Sequence, residues 1–151
     1  VQPQARPPAP AAPAPAAFDA DAFRAEVHKV LVELRHSGDA AEAGDRLRAA
    51  TPPPPTQQPR ELSELLAQVA QEGVAETRKA GFAAVAQLFV QRHWQQEALV
   101  EGIHDFSEEA CPDLRMDVPD LPRILREEMC PALASLTQQG LLQASALSFA
   151  W

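Results

Sequence analysis

The distribution of proline sets the limits on this chain. Proline has no backbone N–H and a fixed φ, so it breaks or kinks a helix interior. The 15 prolines fall within residues 1–17, between Thr51 and Pro59, and from Pro112 to Pro131. The stretches between them carry apolar residues at helical spacing. The chain lacks Tyr and has six Gly, while Ala and Leu dominate a 46% hydrophobic content. That balance favours helices over sheets. The length of 151 residues is one domain's worth, and the opening at Val1 rather than Met reads as a segment of a longer polypeptide.

Residues 1–17 are almost all Pro and Ala. Without apolar periodicity they cannot bury enough surface to offset the entropy of ordering, so they read as a disordered or polyproline-like linker. A first helix is expected from Asp19 or Asp21, either of which can cap it, with the stripe Phe23, Val27, Val30, Leu31 and Leu34. Gly38 supplies a left-handed stop, and Asp39 with Glu42 forms an Asp-x-x-Glu capping box for a second helix carrying Ala43 and Leu47. So short a turn folds two helices into a hairpin. Thr51–Pro59 reads as a rigid surface loop. Leu62, Leu65, Leu66 and Val69 mark a third helix. Thr77 opens a fourth, with Phe82, Val85, Ala86 and Phe89, in which Gly81 allows close packing. Leu99, Ile103, Phe106 and Ala110 make a fifth stripe. Asp120 is placed to cap a sixth helix holding Pro122, Ile124, Leu125 and Met129, with a kink or restart at Pro131 and further packing by Leu133, Leu136, Leu141 and Leu142. The order of the tail from 146 to 151, with Phe149 and Trp151, is left open.

Between the fifth and sixth stripes lies Pro112-Asp113-Leu114-Arg115-Met116-Asp117-Val118-Pro119. Val118 precedes a proline and is pushed towards extended geometry. The segment reads as a stiff acidic connector, not helical throughout, held against a helical body.

Two features together resemble a known family. One is the Pro-Asp-Leu…Asp-Val-Pro segment, Pro112 to Pro119. The other is the Ser37-Gly38-Asp39…Glu42-Ala43 turn of the first hairpin. Both are similar to the MA-three domain, the helical-repeat module of translation initiation factor four-gamma and of programmed-cell-death protein four. The resemblance covers residues 18–145 and implies an all-α, short α-solenoid of about three antiparallel helical hairpins of HEAT-like type. Gly102 matches a family Gly-Phe pair, with Ile103 replacing the Phe. The proline-rich Thr51–Pro59 connector departs from the family pattern. The resemblance further implies a cytoplasmic, non-enzymatic module of a translation-initiation scaffold that binds the DEAD-box RNA helicase of initiation factor four. Asp113 and Asp117 would meet basic residues of the helicase beside Pro119, with Glu108 and Glu109 adding long-range attraction. An inhibitory domain that traps the helicase, or a helical repeat without a helicase partner, are the alternatives.

The residues themselves argue against other classes. A net charge of −8 repels phosphate backbones, so tight direct nucleic-acid binding is not expected. The longest apolar runs are too short for a membrane span. His28, His36, His93 and His104 show no metal-ligand spacing, and Asp113 with Asp117 on an exposed segment lacks the pocket that paired catalytic carboxylates need. No catalytic residue, metal or cofactor is expected. Cys111 and Cys130 read as reduced thiols in a helical core. From Glu97 to Glu128 there are ten acids against three arginines, which places one negative edge on the fifth helix and the segment after it. A solvated helix face with turn-forming aspartates explains the same residues without a partner.

Overall fold

The computed structural model describes residues 18–147, and the regular structure among them is all helical. The N-terminal linker and the tail residues Phe149 and Trp151 lie outside the described residues. Six rods follow one another. α1 spans Ala20–Ser37, α2 Ala40–Ala49, α3 Gln58–Ala70 and α4 Ala75–Val90. The fifth rod joins α5 (Gln96–Asp105), a π turn (Phe106–Ala110) and α6 (Cys111–Asp117). The sixth joins α7 (Leu121–Ile124), a second π turn (Leu125–Met129) and α8 (Cys130–Gln138). A 3-10 turn, Ala144–Leu147, packs on α5 and α8.

Local chemistry accounts for the ends. The Asp19 carboxylate accepts from the N–H groups of Asp21 and Ala22, which fixes the start of α1. Gly38 takes φ +64° and donates its N–H to the Leu34 carbonyl. Asp39 caps α2 by accepting from the Glu42 N–H at 3.1 Å. The other half of the expected capping box is not made, because the Asp39 N–H donates to the Ser37 hydroxyl at 3.2 Å. Thr77 does not open α4. The helix begins at Ala75 after an extended Val74, and Thr77 is buried. The proline-rich stretch is more than a surface loop. Pro53 is buried, the Gln58 amide donates to its carbonyl at 2.9 Å, and the amide oxygen of Gln58 accepts from the Gln95 N–H at 2.9 Å. One buried glutamine thereby ties this loop to the start of α5.

The apolar stripes face one core. Leu31, Leu65, Phe82, Ile103 and Phe106 are all buried, as their spacing requires. α3 packs against α4 and α5, α2 against α4, and α4 against α8. The approach to α3 is close on both sides. A Cβ at Gly102 would fall 2.6 Å from Leu62 Cδ2, and one at Gly81 would fall 2.8 Å from Val69 Cγ1. Alanine at Gly102 would push α5 off α3.

The segment from Pro112 to Pro119 is not a connector. Cys111–Asp117 is helical, and only Val118, at φ −125° and ψ 83°, takes the extended geometry that Pro119 imposes. Pro112 would end an ordinary helix, because its ring clashes with the carbonyl four residues back and it offers that carbonyl no N–H. The π turn before it removes the conflict. The Cys111 N–H donates to Phe106, five residues back, so the wider turn carries the helix past the proline. Pro131 is passed in the same way, with the Cys130 N–H donating to Leu125. Asp120 precedes α7 but does not cap it through its side chain. Its carboxylate is held by Arg123, whose Nε donates at 2.7 Å.

Candidate protein-interaction site

The fifth rod presents two different faces. Ala98, Leu99, Gly102, Ile103, Phe106, Cys111 and Leu114 are buried. On the opposite side Glu97, Glu101, Asp105, Glu109, Asp113 and Asp117 recur at four-residue spacing, and Glu108 stands beside them. All are exposed except Asp105, which is half-buried. A four-residue step drifts by about 40° around an α-helix. The π turn holds more residues per turn and so takes back part of that drift, which keeps the carboxylates nearer one line.

These acids, like Asp21, Glu42 and Glu64, stand outside the ion pairs of the described residues. Several arginines are engaged on other elements. Arg24 forks onto Glu61, Arg35 onto Glu72, Arg46 onto Glu26 and Glu33, and Arg48 onto Asp45. Hydrogen bonding to Glu61 and Glu72 pushes the pKa of Arg24 and Arg35 upward. Asp120, just past α6, is held by Arg123, whose hydrogen bond pulls the carboxyl below its ordinary range. Arg115 also stands on this rod, between Asp113 and Asp117 in sequence.

Asp113 and Asp117 stand one turn apart on α6, with exposed Pro112 and Pro119 at its two ends. Met116 lies between them in sequence and is 84% exposed, more than Val74 or Val100, the other exposed large hydrophobic residues. Glu108 and Glu109 lie on the π turn one helical turn before Asp113. All five residues expected at the site therefore fall on one rod and the turn that ends it.

Among the described residues no group of three or more His, Cys, Asp or Glu is placed to hold a metal ion. A cleft of about 450 Å³ lies between α1 and α2, lined by Phe18, Phe23, Glu26 and Arg46 among others. It is remote in sequence from the acidic edge. No described helix is long and apolar enough to cross a membrane.

The apolar periodicity passes over one signal. Glu108-Glu109-Ala110-Cys111-Pro112-Asp113-Leu114 recurs as Glu127-Glu128-Met129-Cys130-Pro131-Ala132-Leu133. Both copies fold as a π turn followed by Cys-Pro at the head of a helix. In the second copy Glu128 is buried and accepts a bidentate pair from Arg78, at 2.5 Å from Nε and 2.9 Å from Nη2. Arg78 also donates to the Glu72 carbonyl at 2.8 Å. Aligning the chain with itself finds this repeat. No family model matches the chain, and no curated protein matches it significantly.

Proposed function

We propose that residues 18–145 form an MA-three-type domain, a short α-solenoid of HEAT-like hairpins, and that the chain is a non-enzymatic module of a cytoplasmic translation-initiation scaffold. Its partner on this reading is the DEAD-box RNA helicase of initiation factor four. Asp113 and Asp117 make the main charged contacts, Pro119 stiffens the end of the site, and Glu108 and Glu109 add longer-range attraction. One observation carries the reading: two exposed carboxylates one turn apart on α6, without an ion pair among the described residues, beside an exposed Met116. A rigid helix loses less entropy on docking than a loop would, and carboxylates facing arginine make strong directional bonds. The charge of −8 fits a basic protein surface and disfavours RNA.

Pull-down with the purified helicase, followed by an ATPase assay, tests this. Asp113→Ala combined with Asp117→Ala should abolish or sharply weaken capture and leave helical circular dichroism intact, since neither residue faces the core. Each aspartate should be worth about 2–5 kcal/mol if it pairs with arginine in a desolvated centre, mostly through faster dissociation. At a wet rim each should be worth less than about 1 kcal/mol and fade with salt. Glu76→Ala, on α4, is the control. Helicase affinity unchanged in the double variant would remove the site from these residues. A gel shift with RNA at micromolar protein in moderate salt would overturn the exclusion of nucleic acid.

A further inference from the structure

The corner between α4 and α5 holds two local anomalies within three residues. Among the described residues Arg92 is the one non-glycine residue with positive φ, at +55°. It fills the left-handed position that closes α4. Its N–H donates to the Phe89 carbonyl at 3.0 Å, and the His93 N–H donates to the Leu88 carbonyl at 2.9 Å. Glycine serves this position without strain, whereas a side chain there is held at a conformational cost. Two residues on, Trp94 is 2% exposed, packed against the rings of Phe23 and Phe89, and its indole N–H has no acceptor. An indole nitrogen can only donate, and a buried donor left unpaired is costly.

Both residues wall one cleft of about 310 Å³, together with Phe89, Gln96, Glu97 and Leu141. α5 starts on the same wall. No side chain caps it, and its first bond runs from the Ala98 N–H to the Gln95 carbonyl at 3.1 Å. The N–H groups of Gln96 and Glu97 precede that bond and have no intrahelical acceptor. The Arg92 guanidinium enters no ion pair among the described residues. The cleft thus gathers a cation, a buried unpartnered donor and a helix start against an aromatic and aliphatic wall.

We infer that this cleft is a ligand site for a small organic monocarboxylate, whose carboxylate meets Arg92, the Trp94 indole N–H and the start of α5 while its apolar body lies against Phe89 and Leu141. The ligand is an anion because all three polar features favour acceptors or negative charge. It carries one charge, because the Glu97 carboxylate on the same wall repels a dianion more strongly. It is organic because a bare ion would leave Phe89 and Leu141 uncovered, and small because the volume is at the low end for ligand sites. The site does not involve Asp113 or Asp117, so it stands or falls apart from the helicase reading.

The chain has two tryptophans, so Trp151→Phe identifies the NMR signal of the Trp94 indole N–H. Titrating the full chain with hydrocinnamate should move that signal and saturate at about millimolar concentration. Hydrocinnamamide has the same shape without the charge, and acetate has the charge without the body. Each should bind about ten-fold more weakly. Arg92→Gly removes the cation and relieves the left-handed residue. Its melting temperature should equal or exceed the parent's, while affinity for hydrocinnamate falls about ten-fold. A lack of any saturable shift would assign the indole N–H to a buried water and overturn the inference. Equal binding of acid and amide, or unchanged affinity in Arg92→Gly, would overturn it too. The acid–amide comparison uses the parent fold, so it decides the matter even if Arg92→Gly proves unstable. Tighter binding of N-acetyl-Ala-Ala-Phe than of hydrocinnamate would overturn the small-acid site in favour of a peptide terminus.

Discussion

The fifth and sixth rods of this domain share a local sequence and a local backbone but use their carboxylates in opposite ways. Each passes a Cys-Pro pair by means of a π turn, and each begins that turn with a fully buried side chain, Phe106 or Leu125. In the sixth rod Glu127 pairs with Arg123 and Glu128 with Arg78, so the charge is absorbed by the fold. In the fifth rod Glu108 and Glu109 are exposed, without an ion pair among the described residues. The difference lies in the surroundings: α4 packs on the sixth rod's π turn and buries Glu128, whereas α3 packs on the fifth rod's π turn and leaves Glu109 exposed. A local sequence fixes its own turn, but whether its charges serve stability or recognition is decided by tertiary neighbours.

The largest expected effects probe what the rods share. Phe106→Ala should cost roughly 3–5 kcal/mol and Leu125→Ala about 2–5 kcal/mol, because each empties a fully buried site at the head of a π turn. Urea denaturation would measure both. If one rod barely responded, its π turn would not be part of the cooperative core. The next comparison probes what they do not share. Glu128→Ala strands the buried Arg78 guanidinium, whose charge the Glu128 hydrogen bond stabilises, and should cost about 3–5 kcal/mol. Glu109→Ala, on the exposed equivalent, should change stability by no more than about 0.5 kcal/mol. Similar losses for the two would erase the distinction between a structural and an available carboxylate.

The helical body was legible because its cause is local. Six apolar stripes, the Gly38 stop and the Asp39 cap are periodicities and turn chemistries that act over a few residues, and each is present. The fate of Pro112 was harder to read. Proline argues for a break, and only the wide turn ahead of it, stabilised by burial of Phe106 and Leu114, keeps the chain helical. Asp120 departs from its expected capping role for a similar reason. A capping aspartate and an aspartate clamped by Arg123 look alike until both side chains are placed. The acidic bias of the fifth rod was visible in the sequence. That its carboxylates make no ion pair among the described residues was not, because Glu61, Glu72 and Glu128 are as acidic on paper and are consumed by arginines far along the chain.

The smallest effect uses the two equivalent thiols. Cys111 is fully buried, whereas Cys130 is half-buried, its thiol 3.6 Å from the Leu147 carbonyl. Burial pushes both pKa values up, and that of Cys111 rises from 9.0 to about 12, against a small opposing pull from the Arg115 charge. Because the thiolate is the reactive form, a thiol reagent at neutral pH should modify Cys130 first, and Cys111 only as fast as the fifth rod opens. The raised value also has a sign. Between pH 9.0 and about 12 the unfolded Cys111 ionises while the folded one keeps its proton. The unfolded state then binds fewer protons, and stability falls as pH rises through that window. Below pH 9 both states are protonated and the effect vanishes. Melting temperature should therefore decline more steeply above pH 9 in the parent than in Cys111→Ala, each referenced to its own value at pH 7. Parallel pH profiles, or labelling of Cys111 as fast as Cys130, would show that the π turn of the fifth rod opens readily, and that its exposed carboxylates stand on a mobile base rather than a rigid one.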